Sequence, residues 1–274
     1  MIADRDGPDF VLRGAAAATS PLLVSVPHTG TEIPPELAAR FASDAIRALP
    51  DTDWHLHRLY DFVPELGATL LAARASRYVV DLNRPADGHA LYPGRAETGL
   101  VPTTTFAGAA IYRAGEEPTP EEIAARVARH WQPYHAMLRA LLDDRVARFG
   151  HALLFEAHSI VSEVPRFSAE RLPGFMLGDV DGTSCDPARA DAVFEVLRAS
   201  GISASRNLPF KGGHITRAYG RPAARVHALQ LEMSQRLYLD ESAPWLWRDD
   251  LAARLRPVLR AALIAFTASS RSRS

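Results

Sequence analysis

LLVSVPHTG, residues 22–30, is a nearly unbroken apolar run that stops at a proline, a histidine and a glycine. A run without polar alternation suits a strand buried on both faces of a sheet. Four further runs share its character: TLLAA at 69–73, YVVDL at 78–82, ALLFEA at 152–157 and VHALQLE at 226–232. Helical patterns lie between them. The longest starts at TPEEIAARVARHW, where Thr119 can cap, Pro120 fits the first turn, and Glu121 and Glu122 suit the positive helix end. Apolar spacing from Ile123 through Val127, Trp131, Tyr134, Leu138 and Leu141 continues across Pro133 and predicts a long kinked helix. A second helix is expected from Asp186-Pro187 to Gly201, and a third over about 244–268.

Strand–helix alternation implies an α/β fold: a mostly parallel or mixed central sheet flanked by helices on both faces, a three-layer sandwich. No linker composition divides the chain, so one domain is expected over residues 1–274, with 1–15 and 269–274 as loose ends. Residues 86–120 are rich in Gly, Pro and Thr and read as a long irregular insertion.

The 274 residues carry 31 basic against 32 acidic side chains, a formal net charge of −1. That balance argues against nucleic acid or an anionic membrane as partner. No apolar run approaches the roughly 20 residues needed to span a bilayer. The beginning, MIADRDGPDF, does not read as a secretory signal. A single cysteine, Cys185, excludes an internal disulfide and suits a cytoplasmic setting. Its surroundings, GTSCDPARAD, read as a helix entry and a packing role rather than a nucleophile. A homo-oligomer is left open.

Several strand-like runs end at a chemically capable residue: LLVSV leads to His28, ALLFEA to His158, VHALQL to Glu232 and YVVDL to Asn83-Arg84. In open α/β sheets ligands bind beyond the carboxyl ends of the strands, so parallel neighbours would bring these residues into one crevice. Each also has a plainer reading, as a turn histidine, a solvent-facing glutamate or a surface ion pair. His55 and His57 stand two apart at a helix start, where their side chains diverge, so they are set aside as a metal pair. Asp51 and Asp53 could cap that helix, or one could turn to a metal. His130, His135 and His151 read as structural or exposed. NLPFKGGHITR lacks phosphate-loop spacing, and no Gly-x-Ser-x-Gly elbow occurs.

Taken together, LLVSVPHTGTEIPPEL, LPDTDWHLHRLYDF, SRYVVDLNRP, HWQPYHAML, EAHSI, GTSCDP, FKGGHITRAYG and VHALQLEMSQRLYLDE span residues 22–241 in one order. The chain thereby resembles the N-formylglutamate amidohydrolases. The resemblance implies a zinc-peptidase-like (phosphorylase/hydrolase-like) fold. It also implies hydrolysis of N-formyl-L-glutamate to formate and L-glutamate, a late step of histidine breakdown, with one divalent metal ion, zinc, as cofactor. It assigns His28, His158 and an acid of DTDW to the metal, Asp53 being favoured over Asp51. Glu232 falls to the general base and Asn83-Arg84 to the substrate-meeting pair, with Arg84 also steadying the oxyanion. A small dicarboxylate substrate needs cations, for which Arg84, Arg166 and Arg217 stand first and Lys211 behind them. His57, Glu156, His214 and Ala218 depart from the family's usual residues. The rival expectations are a metal-dependent amidohydrolase for another N-acyl amino acid and a non-catalytic binder on the same scaffold.

Overall fold

A mixed eight-stranded sheet organises the chain in the computed structural model, which describes residues 2–91, 97–241 and 245–268. Its strands are β1 (Arg5–Asp6), β2 (Phe10–Arg13), β3 (Leu22–Val26), β4 (Thr69–Ala73), β5 (Ala152–Ile160), β6 (Phe175–Gly178), β7 (Ala204–Arg206) and β8 (Val226–Ser234). They lie in the order β1-β2-β4-β3-β5-β8-β6-β7. The central four, β4-β3-β5-β8, run parallel, as does the β6–β7 pair, while β1–β2, β2–β4 and β6–β8 are antiparallel. A separate ribbon pairs β9 (Leu239–Asp240) with β10 (Leu246–Trp247). The helices are α1 (Pro35–Ala38), α2 (Asp44–Arg47), α3 (Leu56–Leu59), α4 (Pro120–Arg126), α5 (Gln132–Phe149), α6 (Pro187–Ala199), α7 (His214–Tyr219) and α8 (Asp249–Thr267).

Strand pleating divides the apolar residues between two layers. Val24, Phe155 and Leu231 face Val193 and Leu197 of α6 and Leu255, Leu259 and Leu263 of α8. Leu23, Leu71, Leu154 and Ala228 face Tyr134, Leu138 and Leu141 of α5. Each such valine, leucine or phenylalanine contributes about 1.5–3 kcal/mol by leaving water. With both faces covered, the central strands need no polar alternation, which is why their sequences read as continuous apolar runs.

Four of the five expected strands form, with TLLAA as the whole of β4. YVVDL does not form a strand. The Val79 amide donates to the Ser76 carbonyl at 2.9 Å and the Asp81 amide to that of Leu100 at 2.7 Å. Tyr78 and Val79 are buried instead against Phe41, Ile111 and Tyr112. Burial by the 100–112 loop explains the apolar run without a sheet ladder. The long helix begins with the expected cap: Thr119 accepts from the Glu122 amide and Glu122 from the Thr119 amide. It does not run on as a kinked α-helix, because a π turn, Val127–Trp131, separates α4 from α5. Pro133 cannot donate to the carbonyl four residues back, and the wider turn absorbs the break. Asp186 caps α6 through the Ala188 amide at 2.9 Å. The last helix starts at Asp249 rather than near 244, since Leu246 and Trp247 pair with β9. Among the described residues no helix is long and apolar enough to cross a membrane.

Candidate metal centre and active site

The parallel strands β3, β5 and β8 are adjacent, and their carboxyl ends carry His28, His158 and Glu232. His158 and Glu232 lie within the last third of their strands and are direct partners in the β5–β8 register. His28 follows β3 by two residues, and its carbonyl accepts from the Asp53 amide at 3.0 Å, tying the two loops together. Gly30 lets this turn pass the neighbouring chain, for a Cβ there would collide with the carbonyls of Arg74 and Ala75.

His28, Asp53 and His158 are buried, and their donor atoms lie within 4.8 Å of one another. Asp53 Oδ2 is 3.1 Å from His158 Nδ1 and 3.9 Å from His28 Nδ1. The opposite ring nitrogens have their own carboxylates: His28 Nε2 is 2.7 Å from Asp81 Oδ1, and His158 Nε2 is 2.7 Å from Glu156 Oε1. Carboxylates that accept from Nε2–H direct the Nδ1 lone pairs to one point, as partners behind metal-binding histidines do. Two imidazoles and a carboxylate are also the donor set of an open zinc site. The cluster therefore fits a divalent cation. Asp51 is not part of it: its Oδ2 accepts from Tyr78 Oη at 2.9 Å and from the Phe106 amide at 3.0 Å.

The histidines differ electrostatically. Burial and the nearby Arg77 push His28 below the usual histidine range, against the pull of Asp81. Burial also opposes a charge on His158, but Glu156 and Asp53 outweigh it and hold the protonated ring well above that range. A cation entering the cluster must displace this proton. Burial raises Glu232 to about 8, with Asp53 and Glu156 adding to the rise and His158 and Arg77 opposing it. Glu232 Oε1 is buried and has no hydrogen-bond partner.

These groups form one side of a cavity of about 370 Å³. Asn83, Arg84 and Arg166 also line it, together with Phe106, Phe167 and Phe210. Arg84 is held by Thr98, with Nε 2.7 Å from its carbonyl and Nη2 3.1 Å from Oγ1. Arg166 donates to the carbonyls of Thr105 and Glu97 at 3.2 and 3.0 Å. Asn83 Oδ1 accepts from the Ile215 amide at 2.8 Å. Arg217 and Lys211 do not line the cavity. Arg217 Nε donates to the Gly212 carbonyl at 2.9 Å, and Lys211 pairs with Asp181 at 2.8 Å. His57 bonds Thr29, and His55 bonds the Trp245 carbonyl, so neither joins the cluster.

Sequence reasoning assigned no role in the site to Asp81, Glu156 or Arg77. Glu156 was accessible to it, since residues two apart on a strand share a face. Asp81 and Arg77 were not, because only the buried turn brings them together, at 2.7 Å. Glu156 Oε2 in turn accepts from the Thr216 amide at 3.0 Å and from the Thr216 hydroxyl, so α7 anchors the carboxylate behind His158.

The model of the N-formylglutamate amidohydrolase family matches residues 20–239. A protein named N-formylglutamate deformylase from Pseudomonas aeruginosa is 51% identical over 254 residues, covering 92% of this chain and 95% of that one. Its namesake from Pseudomonas putida is 46% identical over 249 residues, covering 90% and 92%. A crystal structure of N-formylglutamate amidohydrolase from Ralstonia eutropha JMP134 superposes with a TM-score of 0.81 at 30% identity, covering 94% and 97%.

Proposed function

The chain belongs to the N-formylglutamate amidohydrolase family, and from that premise we propose that it hydrolyses N-formyl-L-glutamate to formate and L-glutamate, with one zinc ion held by His28, Asp53 and His158. The observation that carries the reading is the unpartnered Oε1 of Glu232, directly across the β5–β8 pair from His158. An unpartnered buried carboxylate oxygen costs stability, and such groups cluster at functional sites.

Such an ion, when bound, supplies Lewis acidity toward a carbonyl oxygen and toward water at neutral pH. Glu232 would be ionised beside such an ion, because a dication lowers a carboxyl pKa that burial, Asp53 and Glu156 together raise. It takes a proton from the attacking water and delivers it to the amide nitrogen as the formyl carbon–nitrogen bond breaks. Arg84 stabilises the oxygen that gains negative charge, a contribution of about 3–4 kcal/mol for one such donor. Arg84 and Arg166 offer guanidiniums to the substrate carboxylates, and Asn83 borders the same space. Arg217 drops out of this set because it does not line the cavity. We place the whole of 1–274 in one metallohydrolase domain, in the cytoplasm, where the unpaired and buried Cys185 stays reduced.

The test is formate release from N-formylglutamate by purified protein, with and without a chelator, followed by zinc addition. Activity should vanish on chelation and return with zinc. Full activity in metal-free protein would overturn the metal assignment, and no release by the zinc-loaded protein would overturn the substrate. One observation favours a second reading, an amidohydrolase for a less polar N-acyl amino acid. The ring centroids of Phe106 and Phe210 lie 5.4 and 5.5 Å from that of Phe167, giving the cavity an aromatic wall. A panel of N-formyl and N-acetyl amino acids separates the two by kcat/KM.

A further inference from the structure

HWQPYHAML, residues 130–138, stands apart from the cluster and cavity, yet two of its side chains reach toward them. Trp131 closes the π turn, and His135 follows four residues later, on the same helix face. Their rings stack with centroids 3.6 Å apart and planes 17° from parallel. Trp131 Nε1 donates to the Arg84 carbonyl at 2.9 Å, and His135 Nε2 to the Leu82 carbonyl at 2.8 Å. These are the two carbonyls that flank Asn83. Among the described residues neither accepts from a backbone amide.

We propose that Trp131 and His135 are positioning residues that set the placement of Asn83 and Arg84 in the cavity. The inference rests on the reading that this dipeptide meets the substrate. Neither ring lines the cavity, so both act through the backbone of 82–84. The Leu82 carbonyl can only accept, so the neutral His135 carries its proton on Nε2, and Nδ1 is left to accept from Tyr219 Oη at 2.9 Å. Burial keeps the ring neutral, with its pKa pushed down to about 3. Tyr219 ends α7, whose first turn holds Asn83 Oδ1 through the Ile215 amide, so the dipeptide is gripped from two elements. The π turn has a use here, because its extra residue rotates Trp131 relative to α4 as the helix passes the loop.

The test uses the full-length, zinc-loaded protein. Trp131→Phe keeps the stacked ring and removes only the donor to Arg84. It should lower kcat/KM for N-formylglutamate about tenfold, through KM and kcat together, because Arg84 meets both a substrate carboxylate and the oxyanion. Zinc content and melting temperature should stay at wild-type values. Tyr219→Phe, which removes the donor to His135 Nδ1 and loosens the ring's seat, should raise KM about threefold and serves if Trp131→Phe is recovered poorly. In an Arg84→Lys background, Trp131→Phe should add less than about twofold, because both changes act on one element. Full multiplication of the two effects, or a joint loss of zinc, kcat and melting temperature, would overturn the positioning role. Wild-type turnover with an unchanged KM in both single variants overturns it while leaving the substrate reading intact. Absence of wild-type turnover overturns the substrate reading and the positioning role with it.

Discussion

Asp81→Asn tests the electrostatic frame behind the metal cluster. Asp81 is fully buried; Oδ1 accepts from His28 Nε2 at 2.7 Å and from the Asn83 amide at 2.8 Å, while Oδ2 accepts from Arg77 Nη2 at 2.7 Å. Three donors meet two carboxylate oxygens, and an amide has only one oxygen to offer. If that oxygen faces His28, the new NH₂ confronts Arg77 and leaves a buried guanidinium without its partner. If it faces Arg77, the NH₂ donates to His28 Nε2 and drives the ring proton to Nδ1, which removes the lone pair from the cluster. The first arrangement breaks a buried ion pair, which costs about 3–5 kcal/mol. We expect the lower end, about 3 kcal/mol, because Asp51 and Asp53 also act on Arg77. The second weakens metal binding tenfold to a hundredfold, about 1.4–2.8 kcal/mol. Urea unfolding of metal-free protein reads the first, and zinc competition against a chromophoric chelator reads the second. Asp51→Asn is the control. It is buried beside the same arginine and bonded to Tyr78 and Phe106, so it should cost about 1 kcal/mol of stability and leave zinc affinity within about twofold. The account is refuted if Asp81→Asn matches wild type in both assays, or if Asp51→Asn weakens zinc binding more than Asp81→Asn does.

Three other outcomes follow from the same geometry. Glu232→Gln should lower kcat by about 10²–10⁴-fold while retaining zinc, and a variant with wild-type kcat would remove Glu232 as the base. In metal-free protein, NMR of the ring C–H signals should show His158 titrating above 6.5 and His28 below it, and coincident titrations would contradict the assigned partners. The signs are opposite: the stability contributed by His158 is complete below about pH 6.5 and lost as pH rises through its raised pKa, whereas that of His28 is present above about pH 6.5 and lost as pH falls. Gly213→Ala should raise KM at least about tenfold with zinc retained, since the added Cβ would collide with the Asn83 amide, and an unchanged KM would show that Asn83 is free to move.

Some of this was legible in residue order alone. The runs at 22–26, 69–73, 152–157 and 226–232 are strands because nearly unbroken apolar stretches of that length satisfy a sheet covered on both faces. The residues that follow or end three of them had to share a crevice once those strands proved parallel and adjacent. Local chemistry also marked the Thr119 cap, the helix entry at Asp186-Pro187 and an irregularity beside Pro133, because capping and a missing amide act over a few residues. YVVDL misled because burial, not pairing, makes it apolar, and burial there comes from residues more than twenty positions away.

By itself the sequence determined the four central strands, the α/β layering and the residue types offered at the strand ends, since these follow from local spacing, backbone chemistry and hydrophobicity. Only the tertiary structure decided which acid joins the histidines. Asp51 and Asp53 are two residues apart and chemically alike, but the fold gives Asp51 to Tyr78 and Phe106 and turns Asp53 to His28 and His158. It likewise decided that Asp81 and Glu156 stand behind the rings and that Arg217 lies outside the cavity. The physical reason is range: a side chain's role in the cluster depends on partners brought within 4 Å by the whole packing of the sheet, and no spacing along the chain encodes that distance.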